Sequence, residues 1–127
     1  MIPEIVLNKG DRVLYQGDTI RFSIPVNTRG TGGTLTPVDV STGFTGKMQF
    51  RETADSADAL LTLTSEVDGG LTMGNGKIDG VITAAQAAAI TASHMVSDCQ
   101  VTETSSGEKK TADASVWRVQ KEITKDA

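Results

Sequence analysis

Five short β-prone runs, each closed off by turn residues, constrain this chain more than any other feature: Lys47-Met-Gln-Phe-Arg51, Ala59-Leu-Leu-Thr-Leu63, Lys77-Ile-Asp-Gly-Val-Ile82, Met95-Val-Ser-Asp-Cys-Gln-Val101 and Val116-Trp-Arg-Val119. Runs this short cannot bury an apolar face alone, so they must pair and stack. The expectation is an all-β fold, an antiparallel β-sandwich of Ig-like type with one short helix near 84–91. The helix follows from Thr83-Ala-Ala-Gln86, which has the spacing of a capping box and leads into an alanine run, the strongest helix-forming composition available.

At 127 residues the chain suits one domain over 1–127. Only 4% of residues are aromatic, so the core must rest on aliphatic side chains around a few anchors, read as Tyr15, Phe22, Phe44, Phe50 and Trp117. So thin a core is expected to lean on neighbouring subunits. The net charge is −4 and the cations are scattered, which argues against a nucleic-acid partner. Lys109-Lys110, beside the turn Thr104-Ser-Ser-Gly107, reads as a solvated hairpin flank. No run approaches the roughly 20 apolar residues that cross a bilayer, and Met1-Ile-Pro-Glu4 does not resemble a basic-then-apolar leader. A protein made in the cytoplasm, with no membrane partner, is expected.

Along the chain, Glu4 to Leu7 reads as a first strand, Asn8-Lys-Gly-Asp11 as a turn, and Arg12 to Tyr15 as strand or loop. In Ile20-Arg-Phe-Ser-Ile24 the apolar residues alternate with polar ones, the pattern of a half-buried strand. Asn27 to Thr45 is Gly/Thr-rich and reads as a long flexible loop, either a contact arm or a mobile surface loop. Met48 and Phe50 share a face, and Glu52 to Asp58 is a polar linker. Val67-Asp-Gly-Gly70 turns the chain, and Asn75-Gly76 predicts a two-residue hairpin turn pairing strands that end at Met73 and begin at Lys77. In the closing strand Trp117, Val119 and Ile123 fall on one parity, opposite Arg118, Gln120 and Glu122.

Residues able to do chemistry are few. Cys99 shares a strand face with Met95 and Val101 and reads as a buried small hydrophobe; a reactive thiol would need a basic partner, and His94 lies on the same segment with nothing to orient it. Asn75-Gly-Lys-Ile-Asp79 resembles half of a calcium loop, but with Gly76 at the sharp-turn position the ligand positions fall on Leu71, Met73 and Ile82, which carry no side-chain oxygen. Gly30-Thr-Gly-Gly33 lacks the Lys-Ser/Thr ending of a phosphate loop. The carboxylate pairs Asp55/Asp58 and Glu66/Asp68 sit in polar turns and read as solvated. A non-enzymatic protein without cofactor or metal is expected.

The order of these pieces resembles small tail and baseplate β-sandwich modules of tailed bacteriophages, related to the N-terminal domain of phage baseplate upper proteins. The resemblance is carried by Gly17-Asp-Thr-Ile-Arg-Phe22, Thr45-Gly-Lys-Met-Gln-Phe-Arg51, Asn75-Gly-Lys-Ile-Asp-Gly-Val-Ile-Thr-Ala-Ala-Gln-Ala-Ala-Ala89, Met95 to Thr102 and Glu108 to Thr124. Asn27 to Gly43 is longer and richer in glycine than that pattern, and no fibrous repeat follows Ile123.

The resemblance implies a structural virion protein, most simply a tail, baseplate or fibre-junction adaptor. It implies other virion structural proteins as partners and several symmetric copies in the particle. A capsid decoration protein is the nearest alternative, and a receptor- or carbohydrate-binding module a second. The residues expected to make protein contacts are Asn27, Arg29, Gly30, Gly32, Gly33, Pro37 and Phe44, together with both termini.

Overall fold

A computed structural model describes residues 4–121. The chain forms β1 (Asn8–Tyr15), β2 (Ile20–Pro25), β3 (Asn27–Arg29), a single 3-10 turn (Thr31–Gly33) and β4 (Leu35–Pro37). There follow β5 (Phe44–Arg51), β6 (Leu61–Thr64), β7 (Leu71–Met73), β8 (Lys77–Ile82), α1 (Ala84–Ala89), β9 (His94–Glu103) and β10 (Lys109–Gln120). Ten strands and one helix among the described residues make the fold all-β.

The strands form a five-stranded sheet in the order β1-β10-β9-β5-β6, a three-stranded sheet β2-β8-β7, and the separate pair β3-β4. One hydrophobic cluster draws on both larger sheets. At its centre Trp117 of β10 meets Phe50 of β5 edge to face at 5.4 Å, and Phe22 of β2 at 5.7 Å, so the indole ties the two sheets together. Phe22 reaches it by lying across Gly80, its partner on β8, where any side chain would collide with the ring. Met48, Phe50, Met95, Cys99, Val101 and Trp117 are buried, as the alternating pattern predicts.

The capping box forms as the spacing predicts: Gln86 N donates to Thr83 Oγ1 at 3.2 Å, and Thr83 N donates to Gln86 Oε1 at 2.9 Å. The helix stops at Ala89, short of Thr91, because Ile90 takes an extended conformation and is buried. Asn75-Gly76 closes the β7–β8 hairpin, with Gly74 N donating to Lys77 O at 2.9 Å. Only Gly76 adopts a positive φ, 78°; Asn75 stays in the ordinary region.

Several expectations are corrected. Asn8 to Asp11 is strand, not turn. Gly10 is there because a Cβ would sit 2.6 Å from Ser115 Oγ, its neighbour on β10, and Asn8 Nδ2 donates to Ala112 O at 2.9 Å and Pro25 O at 2.7 Å. Glu4 to Leu7 precedes the strand and forms no part of it. The β1–β10 pair is parallel, so the sheet is not purely antiparallel. Tyr15 is 52% exposed and anchors nothing, while Phe22 and Phe44 are only partly buried. Ile123 and Glu122 lie outside the described residues, as do both termini expected to make contacts.

Beneath β1 the core turns polar. Asp113 and Ser115 share the inward parity of Trp117 and Val119, and both are buried. Ser115 Oγ donates to Asp113 Oδ2 at 2.6 Å, and Arg12 Nη2 stands 3.8 Å from Asp113 Oδ1, an atom with no hydrogen-bond donor among the described residues. The Arg12 guanidinium also lies over the rings of Phe22 and Trp117, at 5.6 and 5.7 Å. Strand β1 is thus fastened to β10 by charge and cation–π contact, with Leu14 its one fully buried apolar side chain.

Candidate interaction surface

Asn27 to Gly43 is not a structureless loop. Its first part is the β3–β4 hairpin, which pairs Asn27 with Pro37, Thr28 with Thr36 and Arg29 with Leu35. Backbone bonds hold its base: Val38 N donates to Val26 O, Val26 N to Gly76 O and Gly76 N to Val38 O, each at 2.9 Å. Val6 N donates to Asn27 O at 2.8 Å, and Val40 N to Gly74 O at 3.0 Å. Val26 and Val40 are fully buried, so both ends of the hairpin are anchored in the core. Gly76 completes the anchor, since a Cβ there would stand 2.9 Å from Pro37 Cβ.

The tip is different. Gly32 and Gly33 take φ of 79° and 83°, and a Cβ at Gly32 would meet nothing within 4 Å. Gly30 N donates to Thr34 O at 2.8 Å, Gly33 N to Gly30 O at 3.0 Å, and Arg29 Nη1 to Gly33 O at 3.2 Å. Every bond at the tip is therefore internal to it. Residues 29 to 37 are all exposed, including Leu35 at 49%.

The hairpin brings together Asn27, Arg29, Gly30, Gly32, Gly33 and Pro37. Phe44 does not join them. Asp39 closes the segment by accepting from Ser41 N at 2.9 Å and Ser41 Oγ at 2.5 Å, bonds that hold its carboxyl below the usual pKa. The chain then enters β5, and Phe44 lines a groove of about 620 Å³ with Leu71 and Met73, rimmed by Glu66, Val67 and Asp68. Strand β7, which supplies Leu71 and Met73, is an edge strand of its sheet. Val67 is 92% exposed, and the Ser65–Gly70 turn that carries it places Asp68 at φ 62°.

Leu35 and Val67 were not among the expected contact residues. A signal exists for Leu35, the one large aliphatic side chain between Val26 and Val38 in an otherwise Gly/Thr-rich stretch. Val67 carries none, because an apolar residue in a turn is common.

A second concavity, about 530 Å³, lies on the five-stranded sheet and is lined by Lys47, Gln49, Arg51, Gln100, Lys109 and Val116 among others. Arg51 is committed there to Ser56 O, Ala57 O and Gln49 Oε1 at 2.9 to 3.0 Å. Cys99 is buried, and desolvation followed by the charges of Asp113 and Asp98 pushes its pKa up to about 12, so it is a thiol at neutral pH. His94 Nδ1 lies 3.1 Å from Ser93 Oγ. Asp79, the carboxylate of the calcium-like stretch, accepts from Ser23 Oγ at 2.8 Å and faces Lys77 at 3.5 Å. Among the described residues no three His, Cys, Asp or Glu gather into a set that could hold a metal ion, and no helix is long and apolar enough to cross a membrane. No family model matches this chain, and no curated protein matches it.

Proposed function

We propose that this chain is a non-enzymatic structural component of a tailed-phage virion, an adaptor in the tail, baseplate or fibre junction held by neighbouring subunits through the β3–β4 hairpin. The observation that carries this reading is the hairpin itself, whose base is bonded into the core while its tip bonds only to itself. A segment ordered at the root and fully exposed beyond it is suited to contact at low entropic cost, because little backbone remains to be fixed on binding. The resemblance of the order of its sequence motifs to baseplate modules supplies the biological setting.

A carbohydrate-binding module has less support. Trp117 and Phe50 are enclosed in the core, and among the described Trp, Tyr and Phe residues Tyr15 is the one exposed.

The test is binding of the purified chain to phage particles that lack it, scored separately on heads and tails, beside a variant whose tip from Gly30 to Thr34 is replaced by a two-residue turn. Tail binding that the variant loses is the expected result. Head binding would assign the chain to capsid decoration, and binding to neither would overturn the virion reading. Removing all of Arg29 to Gly43 is the wrong deletion, since it takes Val40 out of the core along with the bonds that Val38 and Val40 make to Val26, Gly74 and Gly76.

A further inference from the structure

The hairpin tip and the Phe44 groove complement each other in two independent respects. From Val26 to Val38 the only charged residue is Arg29 and the only large aliphatic side chain between those valines is Leu35; the two are paired across the hairpin. The groove has the opposite character, with Phe44, Leu71 and Met73 along it, Val67 standing free at its rim, and Glu66 and Asp68 on either side of Val67. Arg29, Glu66 and Asp68 form no ion pair with any described residue. A cation beside a leucine therefore matches two carboxylates beside an apolar slot.

We propose that the tip of one copy seats in the groove of a second copy, Leu35 entering between Phe44, Met73 and Val67 while Arg29 lies against Glu66 and Asp68. The contact is heterologous, because the patch used on one copy differs from the patch used on the other, so repetition gives an exchanged pair or a ring where the rotation closes and an open filament where it does not. One such contact is small and weak alone; closure makes it cumulative. The proposal rests on the reading of the hairpin as a contact arm and names its partner as the chain itself.

The experiment is sedimentation velocity of the full chain over a concentration series, with Leu35→Asp as the arm variant and Val67→Arg as the groove variant. Both positions are exposed, and cooperative urea unfolding checks that both variants fold. The wild type self-associates, and each variant weakens association by about tenfold or more, the scale set by withdrawing a leucine from an apolar site. An equimolar mixture of the two forms one intact contact per mixed pair, since one retains the groove and the other the arm, so it gives a 1:1 heterodimer that neither variant forms alone and that is weaker than the wild-type assembly. Arg29→Glu weakens association, and adding Glu66→Arg to it restores part of the loss. A wild type that stays monomeric throughout, or an oligomer indifferent to Leu35→Asp, overturns the proposal. Particle binding separates the two readings: if Leu35→Asp loses it while the wild type is monomeric, the arm contacts another protein and only self-association falls. If self-association behaves as expected and Leu35→Asp still binds particles, the adaptor role of the arm falls instead.

Discussion

Two regions of this molecule are both built by antiparallel strand pairing and obey opposite rules. Around Trp117, strands β2, β5, β9 and β10 point large side chains inward until the rings of Phe22, Phe50 and Trp117 touch. In the β3–β4 hairpin most side chains are exposed, and backbone bonds hold the shape, with Arg29 Nη1 on Gly33 O the one side-chain bond at the tip among the described residues. Strand pairing is common to both regions and side-chain interlock is not, since the hairpin has none beyond its base; substitutions are therefore expected to cost most where the rings meet.

The largest effect is expected from Trp117→Ala. It removes the ring that links the two sheets and the acceptor of the Arg12 contact, and it leaves Ser97 Oγ without the indole donor now at 2.9 Å. A loss of about 3–5 kcal/mol in urea unfolding is expected, the range for truncating a large buried aromatic. A loss below about 1 kcal/mol would mean that the sheets hold together without the indole. Next in size is Arg12→Ala. It leaves the Asp113 carboxylate buried with Ser115 as its one donor, and a cost of about 2–3 kcal/mol follows, less than for a fully enclosed pair because the Arg12 side chain is 26% exposed. Replacing Arg12 and Asp113 together by leucine should cost less than Arg12→Ala alone; a greater cost would show the pair to be net stabilising.

How much of this was legible in the sequence divides along the same line. Alternation found β2, β5, β9 and β10, since Ile20, Phe22 and Ile24, or Met48 and Phe50, report a buried face within a few residues. The capping box and the Asn75-Gly76 turn were legible because both are local. Strand β1 was misread at Gly10, a residue that signals a turn by propensity yet serves here to let two strands approach. The parity of Trp117 already placed Asp113 and Ser115 inside, but polar residues on an inward face announce themselves only once a partner such as Arg12 is known from another strand. The hairpin was hidden for a similar reason: what orders Val26 to Val40 is bonding to Gly74 and Gly76, distant in sequence, and three-residue strands leave no periodicity. Of the expected contact residues, the six on the hairpin proved to be neighbours and Phe44 did not.

Cys99 tests how dry the core is. Its folded pKa near 12 lies above the ordinary 9.0, so between those values the unfolded thiol ionises while the folded one does not. Stability from this group is complete below pH 9 and declines as pH rises toward 12, by up to about 1.4 kcal/mol per pH unit. Measured as the difference between wild type and Cys99→Ala, which cancels the titration of lysines and tyrosine, the gap should narrow by about 1 kcal/mol from pH 8.5 to 10. A gap independent of pH would mean that water reaches the sulfur.

The smallest expected effect is the most informative about the hairpin. Exchanging Leu35 for Asp or Thr34 for Ser alters exposed side chains outside the hydrophobic cluster, so each should change stability by no more than about 0.5 kcal/mol. Val40→Ala, only a few residues along the same segment, removes a fully buried side chain and should cost about 2 kcal/mol, in the usual range for shortening a core aliphatic. The boundary between root and tip then becomes a measured step between Val40 and Leu35. If Leu35→Asp instead destabilised the isolated, monomeric chain as much as Val40→Ala does, the leucine would be serving its own fold, and the division between an interlocked core and a hairpin free to bind would not hold.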